Sequence, residues 1–251
     1  MSVRSFILAV LLLGVLGSVA DASPQKDLSS AASHGKIAFV LVTDQGATGV
    51  DQARDLIKQA MKEVKKSTLV ELDRSNPENA DLVVRFRVAG APVPLILITT
   101  RNGLLAAGVP AGQTTAEQLV AMVPSPKKGE VIQALQGGKS AFITVSRKGM
   151  ATQSGATAAC AAACGQMAEK GVMIQVDMDD PQEAAFLTAM KVNLASTEPV
   201  TLVVNAQGQV TGTYAGAADV ATLVQAATKK GGGCAPGACG PGSGKSCGPT
   251  K

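Results

Sequence analysis

Two hydrophobic patterns alternate along the chain. Ile37 to Val42 is an unbroken apolar run, the signature of a strand buried on both faces. After it, Val50, Ala53, Ile57, Ala60, Met61 and Val64 recur at helical spacing with charges between them, which predicts an amphipathic helix. Thr68 to Leu72 reads as the next strand. "SNPE", Ser75 to Glu78, then opens a second helix, with Ser75 as the expected cap, Pro77 in the first turn and Glu78 reaching back to the cap amide. A strand from Pro94, a turn at "RNG" and a closing helix over Thr114 to Val123 complete the unit. The expected order is strand, helix, strand, helix, strand, turn, strand, helix.

The same order is then repeated. "HGKIAFVLV" (His34 to Val42) echoes "GGKSAFITV" (Gly137 to Val145), and "VELDRSNPE" (Val70 to Glu78) answers "VDMDDPQE" (Val176 to Glu183). "PLILITTRNG" (Pro94 to Gly103) answers "PVTLVVNAQG" (Pro199 to Gly208), and Ala218 to Ala227 closes the second unit as a helix. Asp180-Pro181 takes the helix-opening role there. "PSPKKGE", Pro124 to Glu130, reads as a polar linker between the units.

This order of elements, with a proline heading each third strand, resembles the thioredoxin fold. The expected fold class is therefore α/β: two tandem thioredoxin-like domains, in a disulfide-isomerase-type arrangement, over residues 27–124 and 129–228, plus an unfolded Gly/Cys-rich tail over 231–251. The resemblance makes Pro94 and Pro199 candidate cis-prolines; the alternative is an ordinary trans proline at a strand start. It also implies a C-x-x-C motif where the first strand meets the following helix. There the sequence reads "TDQGATG" (Thr43 to Gly49) and "SRKGMATQSG" (Ser146 to Gly155), with no cysteine in either. Ordinary dithiol exchange at the usual site is excluded.

Composition narrows the chemistry further. One histidine, His34, and no tryptophan leave little for a hydrolytic triad or a histidine-rich metal site, and His34 reads as a solvated loop residue. A net charge of +4 without basic–aromatic clusters gives no footprint for nucleic acid. At the start, Arg4, the apolar run Phe6 to Gly17 and "ADA" at Ala20 to Ala22 predict a signal peptide over residues 1–22. The expected mature protein is exported, periplasmic or secreted, with no stable membrane span after cleavage.

The five cysteines are the remaining candidates. Cys160, Cys164 and Met167 fall at i, i+4 and i+7, on one helix face. Two thiolates and a thioether there suit Cu(I) or another soft metal; the alternative is core packing. A helix starting as late as Thr157 would instead move Cys160 towards its amino-terminal turn, making a C-x-x-x-C redox pair with Cys160 and Cys164 as catalytic residues. Cys234, Cys239 and Cys247 sit among glycines and prolines, as "CAPG", "CGPG" and "CGPT". They are candidate metal ligands or exchange thiols, or two of them close a surface disulfide. The expected function is extracytoplasmic thiol–disulfide work with a thiol partner or soft-metal (Cu(I)) homeostasis, through these non-standard thiols; the alternative is a redox-inactive, chaperone-like module that binds protein clients. At most the chain is a non-standard thiol–disulfide oxidoreductase.

Overall fold

The computed structural model describes residues 23–230. The expected signal peptide and the tail with Cys234, Cys239 and Cys247 lie outside the described residues.

The first unit runs α1 (Pro24–Ser33), β1 (Ile37–Thr43), α2 (Val50–Glu63), β2 (Ser67–Asp73), a 3-10 turn (Pro77–Asn79), α3 (Ala80–Phe86), β3 (Leu95–Thr99), β4 (Leu105–Pro110) and α4 (Ala116–Met122). The second repeats it with α5 (Pro126–Gln136), β5 (Ser140–Ser146), α6 (Gln153–Gln166), β6 (Gly171–Asp177), α7 (Ala184–Ala189), β7 (Val200–Val204), β8 (Val210–Ala215) and α8 (Val220–Thr228). The sheets have the orders β2-β1-β3-β4 and β6-β5-β7-β8. In each, the first strand pairs parallel with the second and antiparallel with the third. This is the expected thioredoxin-like topology, written twice.

The unbroken apolar runs explain the layering. Phe39 and Leu41 point to one face of β1, into a core with Ile57 of α2 and Leu119 of α4. Ala38, Val40 and Val42 point to the other, against Leu28 of α1 and Phe86 of α3. In the second unit Ile143 and Val145 meet α5 and α7, while Phe142 meets α6 and α8. A strand covered on both sides has no polar face, so it does not alternate.

The structure departs from the sequence reading in three places. Each unit opens with a helix, not a strand. The stretch read as a linker is the first half of α5: Ser125 caps it by accepting the Lys128 N–H, and Pro126 occupies the first turn. The cap before α3 is Asn76, whose side chain accepts the Glu78 N–H; Ser75 donates its backbone N–H and its hydroxyl to Asp73 instead.

A buried carboxylate fixes the start of α5. Glu183, 1% exposed, accepts the Ser125 hydroxyl at 2.5 Å and the Lys127 N–H at 3.0 Å. Farther along, α5 touches the first unit: Asn102 donates to Gln133 and Gln136 donates to the Leu105 carbonyl.

Candidate functional site

The end of β1, the start of α2 and the approach to β3 come together in the first unit. The Val93–Pro94 peptide is cis. Pro94 shares a cavity of about 380 Å³ with Thr48, Gly49, Gln52, Gly112 and Thr114. Gly49 precedes α2 at φ +79° and brings no side chain to cap it. The amides of the first turn, Val50 to Gln52, have no intrahelical acceptor, and Gln52 lines the cavity. No titratable side chain lines this cavity among the described residues. It offers hydrogen-bond donors, apolar surface and neutral hydroxyls, but no thiol, general base or acid.

The second unit differs at the corresponding place. The Glu198–Pro199 peptide is trans, so Pro199 is not a second cis-proline. From the left-handed residue after the helix to the proline is seven steps in the first unit (Arg87 to Pro94) and eight in the second (Lys191 to Pro199). The residue before the proline is Glu198 instead of Val93, and its carboxylate lies beside Gly216 and Thr152.

An arginine ties down each of these loops. Arg74, just after β2, pairs with Asp44 at 2.6 Å and donates to the carbonyls of Val88 and Ala91. Arg147, just after β5, pairs with Asp179 at 3.2 Å and donates to the carbonyls of Leu194 and Ser196. The acid follows the first strand and the arginine the second in unit one; in unit two the places are exchanged. Sequence reasoning missed this clamp, because its partners are far apart along the chain.

The helix cysteines sit elsewhere. α6 starts at Gln153, not at Thr157, so Cys160 lies two turns inside it. Cys160 is 0% exposed. Its sulfur accepts the Thr144 hydroxyl at 3.3 Å and lies 3.8 Å from the Thr201 hydroxyl. Cys164 and Met167 are partly buried and pack against the same core. Both thiols are free. Burial, aided by the nearby Cys160, pushes the Cys164 thiol up to about 11.

The repeat supplies a direct comparison. α2 and α6 have the same length, so Cys160, Cys164 and Met167 occupy the places of Ile57, Met61 and Val64, which pack in the first unit's core. Thr144 and Thr201, a cross-strand pair, replace Leu41 and Ile96, also a cross-strand pair. The i, i+4, i+7 spacing therefore marks a packing face in both units. Among the described residues no group of three or more histidine, cysteine or acidic side chains is placed to hold a metal ion. The remaining candidate ligands, Cys234, Cys239 and Cys247, lie outside the described residues. His34 is exposed in the turn after α1, as expected, and its Nδ1 bonds the Ser30 carbonyl.

No protein-family model matches the chain, and no curated protein matches its sequence. Solved structures do. The zinc-bound form of human ERp44 is 11% identical with a TM-score of 0.34, over 80% of this chain and 56% of that one. The first two thioredoxin domains of Saccharomyces cerevisiae Eps1p are 13% identical with a TM-score of 0.30, over 82% of this chain and 96% of that one. The amino-terminal domain of the alkylhydroperoxide reductase AhpF from Enterococcus faecalis is 12% identical with a TM-score of 0.29, over 80% and 96%. This chain spans about half the length of the ERp44 chains it matches. Among the described residues no helix is long and apolar enough to cross a membrane. By its own topology, the chain is a tandem pair of thioredoxin-like domains without the C-x-x-C motif.

Proposed function

We propose that the chain is an exported, redox-inactive holding module for protein clients, with its first-unit cavity as the client site. The observation that carries this reading is the cavity beside Pro94. It lies beside the uncapped start of α2 and has a neutral lining where a thiol pair is expected, and no titratable group among the described residues lines it. Such a surface binds an extended peptide segment through main-chain carbonyls and apolar side chains, and it has nothing with which to cut or reduce it. Cys160 and Cys164 serve packing in this reading, in keeping with Ile57 and Met61 at the same places.

The test uses the mature chain. It should suppress aggregation of reduced insulin B chain while leaving insulin reduction at its uncatalysed rate. Gly112→Trp should abolish the protection, because a Cβ there meets no atom within 4 Å and the position lines the cavity, which a bulky side chain would obstruct. Catalytic insulin reduction, lost when Cys234, Cys239 and Cys247 become serine, would overturn the proposal.

That outcome would favour the second reading, thiol exchange or soft-metal carriage by the tail. It draws support from three thiols among glycines and prolines, where the packing role of Cys160 is unavailable. Native mass spectrometry separates its two forms: a Cu(I) adduct marks carriage, and a captured thiol partner marks exchange.

A further inference from the structure

The opposite end of the first unit carries a second cavity, of about 480 Å³, at the junction of the two units. Ile37, Val64, Val123 and Phe186 give it an apolar wall. Its rim is cationic: Lys65, Lys66, Arg101 and Lys128 line it, against a single carboxylate, Glu63. The cations come from three separate elements, the α2–β2 loop, the β3–β4 turn and the first turn of α5. Lys65 has a local explanation, since its ammonium donates to the Lys62 carbonyl at the end of α2. Lys66, Arg101 and Lys128 do not: among the described residues none has a carboxylate within ion-pair distance, and all three are exposed.

Like charges gathered around an apolar floor repel one another until an anion joins them. The chain's own carboxy-terminal segment does not fit, because residues 229–251 carry lysines and no aspartate or glutamate. The volume lies in the range that holds a compact ligand or a few side chains. We propose that this cleft docks an acidic segment of a partner protein, with an apolar side chain against Phe186 and Val64 and carboxylates on Lys66, Arg101 and Lys128. The site is independent of the one beside Pro94: it lies at the start of β1 and the end of α2, whereas the other lies at the end of β1 and the start of α2. A helix of fourteen residues separates them by roughly 20 Å.

Fluorescence anisotropy tests it, using the mature chain and a fluorescein-labelled peptide of alternating glutamate and leucine. At low salt this peptide should bind about tenfold tighter than a matched glutamine–leucine peptide, and added salt should erase the difference. The pair Lys66→Glu and Arg101→Glu should remove the preference, as should Lys128→Glu alone from the α5 side. Gly112→Trp should leave it intact. Equal binding of the two peptides, or an acidic preference that survives charge reversal, would overturn the proposal. Loss of binding with Gly112→Trp would overturn the location. Self-association of the chain abolished by Lys66→Glu would overturn the occupant and name a second copy instead.

Discussion

Cys164 provides the sharpest test of whether the α6 thiols are chemistry or packing. Its thiol is pushed up to about 11 by burial and by the neighbouring Cys160. At about pH 7.5 an ordinary thiol near 8.5 is about 9% thiolate. One at about 11 is only about 0.03% thiolate, roughly 300-fold less. The thiolate is the nucleophile, and the greater reactivity of a more basic thiolate offsets about 10- to 18-fold of this, so alkylation should slow by about 20-fold. The assay replaces Cys234, Cys239 and Cys247 with serine and follows iodoacetamide labelling by intact mass. Cys164 should label at least about 20-fold more slowly than a model thiol peptide. Cys160, with no exposed surface, should label more slowly still, through opening of the fold. The Cys164 rate should keep climbing past the pH at which the model peptide levels off. Labelling as fast as the peptide, or a plateau below pH 9, would refute the reasoning and make Cys164 a reactive thiol again. The linked stability change has a definite sign. The folded state holds the neutral thiol more strongly than the unfolded chain does, so this contribution is whole below about pH 8.5 and is lost as the pH rises through about 11.

Further outcomes rest on the clamps, the buried Glu183 and the core. Arg74→Ala should cost about 2 kcal/mol in urea unfolding, because it strips two loop carbonyls and leaves Asp44 without its partner. Arg147→Ala should cost less, about 1 kcal/mol, since Asp179 is largely exposed and stays hydrated when the pair is lost; the reverse ranking would contradict the account. Glu183→Ala should cost about 1–3 kcal/mol and expose α5 amides to hydrogen exchange ahead of the sheet, as its carboxylate caps Ser125 and Lys127 from a buried position. Ile57→Ala should cost about 2–5 kcal/mol, while Thr144→Val, which removes one hydrogen bond and leaves only the weak sulfur acceptor of Cys160 without its donor, should stay within about 1.5 kcal/mol of the parent by thermal denaturation.

The legible parts of the fold are those with strong periodicity. The runs over β1 and β5 and the spacing along α2 locate the central layers from residue pattern alone. α1 escapes because only Leu28 and Ala31 of its ten residues are buried, too few to print a period. α5 escapes for a different reason: its first turn is Pro, Lys, Lys and Gly, which looks like a linker, although Ser125 followed by proline is also a helix start. The spacing of Cys160, Cys164 and Met167 is visible, but spacing alone does not tell a ligand face from a packed one. That distinction needs Ile57, Met61 and Val64 at the same places. The cavity beside Pro94 and the cationic cleft are assembled from distant segments, so neither leaves a local signature.

The exchange of acid and arginine between the two clamps has a consequence for assembly. Tandem copies of one fold risk trading strands, since each sheet accepts a similar sequence. Here a traded β1 segment would bring Asp44 beside Asp179, and a traded β5 segment would bring Arg147 beside Arg74. Each error sets like charges together, and the first also takes Arg147 away from the carbonyls of its proline loop, while the correct pairing satisfies both loops. The two ion pairs are thus cut differently, and their charges favour each half of the chain pairing with its own strands over its neighbour's.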